Sequence, residues 1–182
     1  MQKITDLNIQ EIMSQDYISD VHFVGINFSN HVFSRKNFSN CTFEKCNLSN
    51  ITLKNTTLND IRFKGCKILG LKFGDIDRLL SNFNFYDCTI TLTSFFGLSL
   101  KGIHFEDCKI TESDFTNTYL ENAVFGYCDL LKTTFLGCNF KNADLRGSFN
   151  FSIDPQHNKF SKTKFSREYC EGLLHQLDIE LM

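Results

Sequence analysis

The residues best suited to chemistry in this sequence are its cysteines. Five of them, Cys46, Cys66, Cys88, Cys108 and Cys128, recur every 20 residues apart from one step of 22. Cysteines so spaced raise two possibilities, disulfides and a zinc site. No CxxC or CxxH pair accompanies them, which removes the usual zinc spacing. Side chains stacked in one column run parallel instead of toward one another, which disfavours disulfides. The expectation is reduced, buried cysteine acting as a small apolar residue in a reducing, cytoplasmic compartment.

Other chemistry is sparse. His22, His31, His104, His157 and His175 are scattered, and no HExxH, GxSxG, Walker A or GxGxxG pattern occurs. Asp75-Ile76-Asp77 reads as a solvated loop. The sequence predicts no catalytic residues, no metal site and no cofactor, hence no enzyme. The acids are more suggestive. Residues 21–73 carry a net +6 and residues 74–145 a net −5 within a chain of formal charge −2. Asp87 and Asp107 are 20 residues apart with Glu106 adjacent, and Asp129 and Asp144 lie in the same acidic half. These five are the candidate partner-binding residues. The bland alternative is that they keep the molecule soluble. The overall charge argues against direct nucleic-acid binding.

The elements that must position these groups are written in the phenylalanines. Phe occurs 20 times, Trp is absent, and the only proline is Pro155. Every fifth residue from Phe23 to Phe73, and again from Leu80 to Leu145, is Phe, Leu or Ile, with two residues inserted near 74–79. Two positions before each stands a second inward set, which holds seven of the eight cysteines with Thr56, Ser113, Thr118, Ala123, Thr133 and Ala143. His31, Lys36, Arg78 and Phe83 are its exceptions. A period of five fits neither helix nor strand. It fits a chain that turns a corner every five residues, so that four corners close a 20-residue coil. Coils stacked about 4.8 Å apart then pair like parallel strands. Six coils would give a rod of about 30 Å.

The series Cys46-Asn47-Leu48-Ser49-Asn50 and Ala143-Asp144-Leu145-Arg146-Gly147 resembles the A(D/N)LXX motif of the pentapeptide-repeat family, over about residues 21–147. The resemblance implies an all-β fold, a right-handed quadrilateral β-helix. Residues 1–20 are expected to cap it, 21–147 to form the β-helix with its bulge near 74–79, and 148–182 to form a second cap. In that tail Ser166 reads as the N-cap of a short α-helix running to Gln176, with Tyr169, Leu173, Leu174 and Leu177 on its apolar face. The tail resembles that of the quinolone-resistance (Qnr-type) and microcin B17 immunity subgroup. This implies a homodimer paired through Leu173, Leu174, Leu177, Ile179 and Leu181. It also implies a DNA-mimic role toward DNA gyrase or topoisomerase IV, protecting it from quinolones or peptide toxins. The alternative is a structural or protein-interaction rod, a scaffold or effector unrelated to topoisomerases. No apolar run approaches the ~18 residues of a transmembrane helix. No secretory signal is visible at the N-terminus, so no membrane partner is expected.

Overall fold

A corner every five residues needs a backbone position that most side chains avoid. In a computed structural model, which describes residues 2–4, 9–177 and 179, that position lies two residues after each central apolar one. Asp20, Asn30, Asn40, Asn50, Asp87, Asp107, Asn117 and Asn142 all take left-handed φ values between 50° and 62° there. Asn and Asp tolerate this conformation best after glycine. The polar residues of the repeat therefore set its corners, and the apolar ones fill its axis.

The result is a right-handed quadrilateral β-helix. Its longest face is a parallel sheet of nine strands: Gln2–Ile4, Val21–Val24, Thr42–Glu44, Ile61–Lys64, Phe83–Tyr86, His104–Glu106, Val124–Gly126, Asp144–Leu145 and Lys164–Phe165. Phe23 pairs with Phe43, Phe43 with Phe63, Phe63 with Phe85, Phe85 with Phe105 and Phe105 with Phe125. Their rings stack along the axis, with centroids 4.7–5.4 Å apart and planes within 22°. A second stack, Phe73–Phe95–Phe115–Phe135, keeps spacings of 4.6–5.1 Å. It meets the first edge-on, as at Phe105 and Phe115, 5.8 Å and 79°. Offset stacks crossed by edge contacts are the arrangement aromatic quadrupoles favour.

The cysteine column is buried and every cysteine is free. The thiols bond to backbone. Cys46, Cys66 and Cys128 donate to the carbonyls of Phe23, Phe43 and Phe105, each 23 residues earlier. Thr56, Thr118 and Thr133 do the same to Phe33, Phe95 and Ile110. The position two before the centre thus selects small side chains that can also donate a hydrogen bond down the rod. Burial pushes the Cys138 thiol up to about 11. Cys66 is pushed up by its neighbouring thiols in the column and then by burial.

Three expectations change. Nine stacked strands enclose eight coils in place of six, so the rod is about 38 Å long at ~4.8 Å per strand. The added coils break the five-residue spacing, which is why the repeat did not reveal them. Asn150 and Pro155 fall where core residues belong, and Phe151 and Ile153 are buried in their stead. At the N-terminus Ile4 pairs with Phe23 at a 19-residue step, and the helix Ile9–Met13 packs Ile9, Ile12 and Met13 onto the core.

Second, Leu80 is 64% exposed where the series placed it in the core. The register shifts by 22 residues across the insertion, as expected, but the chain resumes at Phe83. Phe83 is 4% exposed and stacks on Phe73 at 5.1 Å. The coil that lacks its central leucine thus carries a large ring at the inner position in register with Ile61.

Third, the C-terminal helix is a 3-10 segment, Arg167–Leu173. Ser166 holds the N-cap position, as expected, but its side chain makes no capping bond. Its hydroxyl accepts the Gly147 amide at 2.9 Å and so completes the last coil. A Cβ at Gly172 would collide with the Phe151 carbonyl and ring, and the Gly172 carbonyl accepts the Ile153 amide. Tertiary contacts pin this segment tighter than an α-helix allows.

Candidate functional site

The nine-stranded face gathers three of the five predicted acids. Asp87 and Asp107 occupy successive left-handed corners, with φ of 53° and 52°, and Glu106 stands beside them on the sheet. The Asp87 amide donates to the Glu106 carbonyl at 2.9 Å, which fixes the stacking of the two corners. All three carboxylates are exposed, and among the described residues none forms an ion pair.

The other two stand apart from this trio. Asp129 lies on another face, in register with Lys109 and Phe149, where it accepts the Leu131 amide and the Asn150 side chain. Asp144 is on the right face but neutralised. Arg146 binds it through Nε at 2.9 Å and Nη2 at 2.7 Å, and Lys164 stands 3.7 Å away. The Arg146 hydrogen bond is the main cause that holds the Asp144 carboxyl below the usual range.

Two grooves lie on this face, one beyond Glu106–Asp107 and one before Tyr86–Asp87. One, about 740 Å³, is bordered by Glu106, Asp107, Tyr127, Arg146 and Tyr169. It is hollow because Gly126 and Gly147 present no side chains there, and the Tyr127 ring lies directly over Gly147. The other, about 680 Å³, is bordered by Lys45, Arg62, Lys64 and Tyr86. Sequence reasoning missed these basic and aromatic residues. Their 20-residue recurrence beside the acids was the signal available.

At the C-terminal end a third hollow of about 320 Å³ is lined by Pro155, Leu173, Leu174 and Leu177. Leu173 and Leu174 are half-buried, while Leu177 and Ile179 are 48% and 52% exposed. Leu181 lies outside the described residues. Among the described residues no cluster of three or more His, Cys, Asp or Glu is placed to hold a metal ion, and no helix is long and apolar enough to cross a membrane.

A rod with a solid aromatic core, side chains recurring in columns and shallow grooves defines a repeat solenoid. The chain belongs to the pentapeptide-repeat family. It matches the "Pentapeptide repeat region" over residues 17–95 and "Pentapeptide repeats (8 copies)" over 90–126 and 113–149. No curated protein matches it in sequence. Among solved structures it is similar to full-length QnrB1, a plasmid-mediated fluoroquinolone resistance protein, at 16% identity over 90% of both chains with a TM-score of 0.64. It is also similar to HetL, a pentapeptide-repeat protein involved in heterocyst differentiation regulation in the cyanobacterium Nostoc. There the identity is 12%, over 90% of this chain and 81% of that one, with a TM-score of 0.44. At 16% identity the likeness to QnrB1 is one of fold.

Proposed function

We propose that this protein is a non-enzymatic DNA mimic that binds DNA gyrase or topoisomerase IV and protects it from quinolones or peptide toxins. The observation that carries this reading is the run of unpaired carboxylates, Asp87, Glu106 and Asp107, along one corner of a rigid rod. DNA presents regularly spaced negative charge to its enzymes, and a rod of about 38 Å already spans one helical turn of ~34–36 Å. The full-length likeness to QnrB1 supports the same reading. Two rods joined through Leu173, Leu174, Leu177 and Ile179 extend it to about two turns. Such an interface would be isologous.

Lys45 and Lys64 on the same face favour a second reading, an interaction rod for a partner of mixed charge. A gyrase supercoiling assay with and without ciprofloxacin, titrated with the protein, separates the two. Mimicry predicts restored supercoiling in the presence of drug. No effect in either arm leaves the interaction rod. Leu177→Glu places like charges at the shared axis. Light scattering is expected to show a monomer and circular dichroism an unchanged β spectrum. A wild type that is already monomeric removes the dimer from the proposal.

A further inference from the structure

The nine-stranded face changes sign over its central five strands, and beyond them Arg146 and Lys164 gather about Asp144. In the column just after the core residues stand Glu44, Lys64, Tyr86, Glu106 and Gly126, and in the adjoining corner column Lys45, Gly65, Asp87, Asp107 and Tyr127. Some of these charges are already satisfied. Glu44 pairs with His22 at 2.8 Å, and the neighbouring Arg62 pairs with Asp60 at 3.0 Å. Lys45 and Lys64 on one side of Tyr86, and Glu106 and Asp107 on the other, form no ion pair among the described residues. All four are exposed. The change of sign falls at Phe83–Tyr86, the fifth of the nine strands and so the midpoint of the face.

A strip of five strands whose charge reverses about its middle strand complements its own copy. The required symmetry is a two-fold axis lying in the face, parallel to its strands. We propose that this face pairs with the same face of a second copy, with the two rods antiparallel. The fourth strand of each rod then lies opposite the sixth of the other, so Lys64 meets Glu106 twice. The third lies opposite the seventh, which brings Lys45 to Tyr127, a ring 72% exposed at its corner and open to a cation. Tyr86 meets its own copy on the axis. The two Asp87 carboxylates face each other across the axis at the edge of the strip, each offset by Lys45 of its own rod where both border Gly65.

The whole face is about 38 Å long and about 10 Å wide, or about 400 Å² per partner, half of the ~800 Å² that a stable complex buries. The pairing is therefore weak and governed by charge, unlike the apolar end face.

Sedimentation velocity of the full chain at about 0.01 M and about 1 M salt, where the screening length falls from ~30 to ~3 Å, tests it. The expected result is a doubling of the weight-average mass at low salt. Lys64→Glu and Glu106→Lys are each expected to abolish the doubling. An equimolar mixture of the two variants is expected to restore it, because each then supplies the charge that the other lacks. Circular dichroism confirms that each variant is folded. A mass independent of salt, or a mixture that does not associate, overturns the proposal. Leu177→Glu is expected to keep the salt-dependent doubling, and its loss there would assign the association to the end face instead. None of these readouts involves gyrase, so this pairing and the proposed mimicry stand or fall separately.

Discussion

The coils at 83–145 and the corner at 74–82 are built from the same residue types and end differently. In the regular coils each central residue stays inside, and Phe105 is 0% exposed between Phe85 and Phe125 at 5.0 and 4.9 Å. At the corner Leu79 and Leu80 are 93% and 64% exposed while Phe83 turns inward. The Phe73–Asp75 segment closes as a 3-10 turn in place of a left-handed corner. The repeat is thus a rule of volume per coil. Wherever one large residue fills the axis, the coil above can stack, whichever position supplies it.

That contrast can be broken from its strong side first. Phe105→Ala is expected to cost about 3–5 kcal/mol, because the flanking rings are held by the ladder and cannot close the cavity. Thermal melting measures it, and a shift of a degree or so would contradict the ladder. Phe83→Ala is expected to cost about 3 kcal/mol, at the lower end of that range, since the adjoining loop can move inward. If Phe83→Ala cost nothing, the volume account of the corner would fail.

A smaller effect sharpens the account of the inner positions. Thr133 donates to the Ile110 carbonyl at 2.7 Å and is 4% exposed. Thr133→Val keeps the shape but leaves that carbonyl without its donor. Urea denaturation is expected to show a loss of about 1–2 kcal/mol. The smallest effect belongs to the residue that the repeat misplaced. Leu80→Ser is expected to change stability by under about 0.5 kcal/mol, as at ordinary surface sites. A loss comparable to that of Phe105→Ala would return Leu80 to the core.

Much of this molecule was legible because its contacts are periodic. Phe23, Phe43 and Phe63 stack at 20-residue intervals, so sequence spacing and distance along the rod are nearly one quantity. The acids were legible as columns, and Asp87 and Asp107 do share a corner. Their availability was not. Asp144 fits the pattern equally well, yet Arg146 and Lys164 neutralise it. That outcome depends on the Arg146 side chain folding back onto a carboxylate two residues earlier, a rotamer choice that spacing does not encode.

The sequence by itself determined the coil, the inward residues, the cysteine column and the offset of two at the insertion. Each follows from a corner every five residues and an axis that admits only apolar volume. The tertiary structure alone decided the three places where the period lapses. Phe83 fills the core where Leu80 was expected, Phe151 and Ile153 extend the core past Leu145 into the expected cap, and the tail closes as a 3-10 segment. In each, the local pattern permits more than one packing, and the choice is made by the shape of the coil beneath.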